Sequence, residues 1–179
     1  TAVPGTPVKG GQDQPGDIWF TSGLDGVVIA GAKIYRTNDG ASSWTIVNNV
    51  STAALTRFDF VNANIGVVVG KGKNALTTAD GGASWTRVTI PFTRCSGGTP
   101  DSTGDYERGS DPWISFSPNG TAHYMALVSK QSVNENAMTV ARSTDGGATW
   151  SAPIVIARNP AQDPKGRSLF HDKNTITAD

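Results

Sequence analysis

Residues 143–150 read Ser-Thr-Asp-Gly-Gly-Ala-Thr-Trp, and the same pattern stands upstream as TADGGASW at 78–85 and TNDGASSW at 37–44. All three obey one template: Ser or Thr, any residue, Asp, any residue, usually Gly, any residue, Ser or Thr, Trp. Only the first copy departs, with Ala41 where Gly82 and Gly147 stand. Trp85 follows Trp44 by 41 residues and Trp150 follows Trp85 by 65, so a unit of about 41 residues with one insertion of about 24 accounts for both intervals. Repeats of about 40–50 residues are the mark of solenoids and propellers.

Each copy reads as a turn closing a β-hairpin. Asp39, Asp80 and Asp145 can accept hydrogen bonds from amides of their own turn, and glycine at the next positions allows a positive φ. Thr37, Thr78 and Ser143 stand at strand ends, where hydroxyls satisfy stray backbone groups. Trp44, Trp85 and Trp150 open the next strand as apolar anchors whose N–H needs an acceptor. None of this requires a ligand. The alternative is that the three Asp side chains bind calcium or substrate.

Composition agrees with an all-β chain. Of 179 residues, 21 are Gly and 10 Pro, spread among short apolar runs, which suits many tight turns. Fifteen basic side chains balance 15 acidic ones, so the excess positive charge that neutralises phosphates is missing and a nucleic-acid partner is not expected. No apolar run reaches the roughly 18 residues of a membrane span. Cys95 is the single cysteine, which rules out an intrachain disulfide and leaves a spare thiol or a partner for a cysteine elsewhere. His123 and His171 lie far apart without a Cys partner, so neither a metal site nor a cofactor is expected. Gly-Lys-Gly-Lys at 70–73 lacks the Ser/Thr and following helix of a phosphate loop and reads as a hairpin turn. Asn49 and Asn119 each head an Asn-X-Ser/Thr acceptor pattern, expected to stay bare in a bacterial protein.

Strands fall in sets of four. Residues 1–16 read as an irregular extension, and 17–179 as a partial β-propeller. Its blades are expected at about 17–50, 51–91 and 111–158, each a four-stranded antiparallel meander with its acidic turn between third and fourth strands. Asp172 to Asp179, DKNTITAD, parallels DPWISFS at 111–117 as the innermost strand of a fourth blade. About three and a half blades leave a ring open, so the remainder of a longer chain, a second chain or another copy is expected to close it.

The repeated octad resembles the Asp-box, or bacterial neuraminidase repeat, of the sialidase superfamily. The resemblance covers most of the chain and implies a propeller fold. Blades one and two, with FVNANIGVVVGKGKNALTTADGGASW at 60–85, look most like the photosynthetic assembly-factor and xyloglucanase type. The third, with ERGSDPWISFSPNGTAHYMALVS at 107–129, looks like secreted bacterial sialidase-like proteins. A sialidase usually carries a Phe/Tyr-Arg-Ile-Pro stretch; its nearest counterpart here is Arg36 in IYRTND, on a third strand. The resemblance implies a secreted or periplasmic, glycan-directed protein. The alternative is a non-catalytic platform for a protein or polysaccharide.

Propeller sites lie at loops entering the innermost strands, and the inserted loop 92–110 is such a loop. Sialidases pair a Tyr nucleophile with a Glu, an Asp acid/base and arginines that hold the substrate carboxylate. By that resemblance the catalytic candidates are Tyr106, Glu107 and Asp111, with Arg94, Arg108 and Asp172 as substrate-binding candidates. Neighbours on an extended segment point to opposite faces, so at most Tyr106 with Arg108, or Glu107 with Asp111, would meet one ligand. The structural alternative is that Arg108 and Asp111 pair and pin the loop.

Overall fold

The computed structural model describes residues 15–48, 53–71, 75–159, 167, 170–172 and 174–179. Most of the expected extension, the end of the Gly-Lys-Gly-Lys turn and the Asn49 acceptor pattern lie outside these residues. The described chain forms three four-stranded antiparallel sheets, each in sequence order. Blade one is β1 (Pro15–Phe20), β2 (Gly26–Ala30), β3 (Lys33–Thr37) and β4 (Thr45–Asn48). Blade two is β5 (Leu55–Phe60), β6 (Gly66–Gly70), β7 (Ala75–Thr78) and β8 (Thr86–Val88). Blade three is β9 (Arg108–Phe116), β10 (Ala122–Lys130), β11 (Glu135–Ser143) and β12 (Ile154–Asn159). This is an incomplete β-propeller.

β2 and β6 are buried along their whole length, which is why GVVIA and GVVVG read as unbroken β-branched runs and not as alternations. Alternate residues of each serve different interfaces. Val27, Ile29 and Ile34 of blade one pack against Phe58, Phe60, Val68, Leu76 and Trp85 of blade two. Val67, Val69 and Ala75, on the other side of blade two, pack against Ile114, Phe116, Tyr124 and Ala126 of blade three. Apolar burial stabilises by about 25 cal/mol per Å² removed from water, so both interfaces hold the blades together.

The innermost strands β1, β5 and β9 lie side by side and are tied by one device. Asp17 Oδ2 accepts from the Phe58 amide at 3.1 Å, and Asp59 Oδ2 accepts from the Phe116 amide at 2.6 Å. Ser115, which occupies the place in β9 that Asp59 has in β5, accepts from the Ala178 amide at 3.2 Å. Residues 174–179 therefore run beside β9 as a fourth innermost segment. They stand where the fourth blade is expected to begin, and among the described residues no further strand pairs with them.

β1 starts two residues before the expected boundary, and Pro15 pairs with Ala30. β9 departs further. Arg108, Gly109 and Ser110, expected in the inserted loop, pair with Ser129, Val128 and Leu127 of β10, and the register then shifts before Trp113 pairs with Met125. Asp111 takes up that shift at φ +48, a left-handed conformation that Asp tolerates better than most residues.

Candidate functional site

The acidic turns are closed hydrogen-bond circuits. Asp145 Oδ1 accepts from the Ser143 hydroxyl at 2.7 Å and the Thr149 amide at 2.9 Å, while Oδ2 accepts from the Thr149 hydroxyl at 2.5 Å. Ser143 Oγ in turn accepts from the Gly147 amide at 2.9 Å. Asp80 repeats the set with Thr78 and Ser84, and Asp39 with Thr37 and Ser43. The indoles of Trp85 and Trp150 donate to Gly82 O at 3.1 Å and Gly147 O at 2.9 Å, so the acceptor each Trp needs lies in its own turn. Hydrogen bonds from Ser43 and Thr37 bring Asp39 down to about 2, and those from Thr149 and Ser143 do the same to Asp145. Burial works against ionisation of Asp80, but Ser84 and Thr78 outweigh it and lower its pKa as well. Carboxylates so fully used are architectural.

A cleft of about 1030 Å³ opens where the chain enters the innermost strands. Its walls come from Thr56 and Arg57 of β5, the 107–113 stretch, and Asp172 to Thr175 without the undescribed residue 173; Ile90, Phe92 and Tyr124 form an apolar side. Arg57 places its guanidinium carbon 4.7 Å from the centroid of the Trp113 ring and donates to the carbonyls of Gly16 and Thr56, each at 3.3 Å. The cation thus ties β1, β5 and β9 together at the cleft wall.

Of the six candidate residues, four line this cleft: Glu107, Arg108, Asp111 and Asp172. Glu107 is already engaged, for its Oε2 accepts from the amides of Gln131 and Ser132 at 2.9 and 3.3 Å. Ser132 and these amides hold its pKa below the usual carboxylate range. Tyr106, expected as a nucleophile, is 1% exposed and packs in the core between blades two and three. Its hydroxyl makes no hydrogen bond of ordinary geometry; the Arg158 guanidinium is near enough for the phenol to raise the pKa of that arginine. Arg94 is turned to the buried Asp105, which also accepts from Lys130 Nζ at 2.7 Å. Those two cations drive the Asp105 pKa far down. This triad, together with Glu107, fastens the inserted loop. Arg108 and Asp111 form no ion pair, so the expected pin is replaced by a different one. Tyr106 points into the core while Glu107, Arg108 and Asp111 all line the cleft, so the expected alternation separates Tyr106 from Glu107 but does not extend to Arg108.

Sequence reasoning missed Arg57, Asp59 and Lys130, and gave Asp105 of the inserted loop no role. Arg57 and Asp59 could have been flagged as charges inside an apolar innermost strand, LTRFDF; Lys130 stands 25 residues from Asp105 and carries no local signal. Cys95 is exposed on the loop's short 3₁₀ turn, Arg94–Ser96. Among the described residues no three His, Cys, Asp or Glu side chains are placed to hold a metal, and no helix is long and apolar enough to cross a membrane.

No protein-family model matches this chain, and no curated protein does. Solved structures do. YCF48 bound to a D1 peptide matches with a TM-score of 0.52 at 22% identity, over 84% of this chain and 45% of that one. YCF48 from Cyanidioschyzon merolae matches with a TM-score of 0.47 at 19% identity, over 79% and 37%. The Niastella koreensis GH74 enzyme matches with a TM-score of 0.49 at 17% identity, over 75% and 22%. The chain thus spans less than half of each. At 22% identity the likeness to YCF48 establishes the β-propeller fold and nothing finer.

Proposed function

We propose that this chain is a non-catalytic propeller platform whose cleft receives an extended segment of a protein partner, in a secreted or periplasmic setting. The observation that carries this reading is the fate of the candidate catalytic groups. Tyr106 is sealed in the core, Glu107 caps the turn at 131–133, and Arg94 is bound to Asp105. What remains facing the cleft is a mixed set, Arg108 beside Asp111 and Asp172, with the Arg57–Trp113 pair as a rigid wall. Charges of both signs around an apolar side suit a peptide, whose backbone and side chains offer donors and acceptors together. The YCF48 structure holds a D1 peptide, which supports a peptide as the class of occupant.

A glycoside-cleaving role is the second reading, favoured by one observation: Asp111 and Asp172 both line the cleft, and among the described residues no hydrogen bond or ion pair engages either carboxylate. Two such groups are what acid/base cleavage of a glycosidic bond uses. One experiment separates the two. Peptides selected from a displayed library on the whole chain are expected to lose at least tenfold in affinity on Arg108→Ala and on Trp113→Ala, and a panel of aryl glycosides is expected to release nothing. Release that falls by orders of magnitude in Asp111→Asn and Asp172→Asn would install the hydrolase in place of the platform.

A further inference from the structure

The second glycine of the acidic turn is where one blade presses on the blade before it. A Cβ on Gly147 would stand 2.3 Å from Val67 Cγ2, and one on Gly82 would stand 2.6 Å from Val27 Cγ1. Val27 and Val67 hold the same place, the second residue of their blade's second strand, opposite Trp19 and Asp59 respectively. The Thr77 hydroxyl of blade two donates to Gly146 O of blade three at 2.8 Å across the same contact. Neither turn has room for a side chain at this position, since the opposing atoms belong to a packed strand.

Blade one has Ala41 there, at φ +71. Its near face is nevertheless built like the faces that blades two and three bury. The cross-strand row Ile18, Val28, Tyr35, Ile46 matches Phe58, Val68, Leu76, Arg87 of blade two. Ile18 and Phe20 are 54% and 42% exposed, whereas Phe58 and Phe60 are each 6% exposed. Ile46, also exposed, puts an apolar side chain where blade two has Arg87.

We infer that this face is an interface for a further four-stranded blade of the same polypeptide, outside residues 15–179, that bears Gly or Ala where Val27 and Val67 stand. The Cβ of Ala41 fills the space that a valine takes at the other two interfaces, so the matching position on the arriving blade is small. A second copy of this chain does not meet that demand. Blade three has His123 at the place in question, opposite Ser115, and imidazole is larger than the valine already excluded. The span of the YCF48 chain, of which this chain covers 45%, leaves length for such blades. The inference is independent of what occupies the cleft.

The test appends a copy of residues 51–91 ahead of Thr1 of the whole chain, once unchanged and once with Val67→Gly in the added copy. The Val67→Gly form is expected to cover blade one, lowering the fluorescence of bound anilinonaphthalene sulfonate at least threefold and raising Tm by several degrees. The unchanged form is expected to do neither until Ala41→Gly is introduced, which restores the fit. Equal behaviour of the two forms, or protection in none of the three, overturns the inference. Sedimentation of the unextended chain is the second arm. A monomer is expected, and a dimer that Phe20→Asp dissociates would assign the face to a second copy instead.

Discussion

Blade two and blade one are built on the same plan, yet among the described residues blade two exposes no large apolar side chain while blade one exposes Ile18, Trp19, Phe20, Leu24 and Ile46. For Ile18 and Phe20 the difference comes from position, because their counterparts Phe58 and Phe60 are covered where blade two is stacked on both sides and blade one, among the described residues, on one. Trp19 and Ile46 differ in composition as well, standing where blade two has Asp59 and Arg87. Stacking also reaches into the turns. Where a blade lies behind a neighbour, its acidic turn must be free of a side chain at the second glycine; where it does not, alanine is tolerated at a positive φ.

Gly147→Ala should break this contrast most strongly. It adds both a collision with Val67 and a Cβ at φ +93, and the expected loss is about 2–4 kcal/mol in a urea unfolding curve. Gly82→Ala should follow closely, at φ +83 and slightly longer distance from Val27. Removing a turn carboxylate comes next: Asp145→Ala is expected to cost about 1 kcal/mol, the size of a lost helix cap, because water can reach the groups it leaves behind. The Asp39 and Asp145 carboxylates sit near 2, below their unfolded value, so their contribution is full above pH of about 4 and fades as pH falls towards about 2. Urea midpoints measured across that window should decline, and the Asp145→Ala variant should decline less steeply.

Asp59 should show the opposite sign. Burial raises its pKa, only partly countered by the amides of Phe116 and Phe60, so ionised Asp59 works against the fold and stability rises as pH falls through its folded pKa. Asp59→Asn keeps an acceptor for the Phe116 amide. It should leave stability at neutral pH equal or higher and should flatten this part of the pH profile. The smallest effect belongs to Ala41→Gly, a gain of a few tenths of a kcal/mol as relief of the left-handed Cβ is largely offset by backbone entropy. A clear loss there would show that Ala41 packs against something, and thermal melts of the three position-matched variants side by side would sharpen the comparison.

How much of this could be read from the residues depends on how local the physics is. The turns were legible because an Asp, its Ser or Thr partners and its Trp complete their bonds within eight residues. Strand order followed, since each meander joins neighbours in sequence. Resemblance to sialidases misdirected the reading of Tyr106, whose environment is set by blade three and not by the residues beside it. The Arg94–Asp105–Lys130 fastening joins the inserted loop to blade three and the Arg57–Trp113 wall joins blade two to blade three, so nothing in either segment announces the other. The lengthening of β9 hid behind Asp111, a residue that reads as a turn and acts as a bulge.

The three amide ties between innermost strands run one way: an earlier strand holds out a side-chain oxygen and a later segment brings the amide. A ribosome delivers the acceptor first, so the residue that each later amide needs has already been synthesised when that amide emerges. Blade-by-blade folding from the N-terminal side is the expected outcome, and proteolysis of ribosome-bound chains of increasing length would check it.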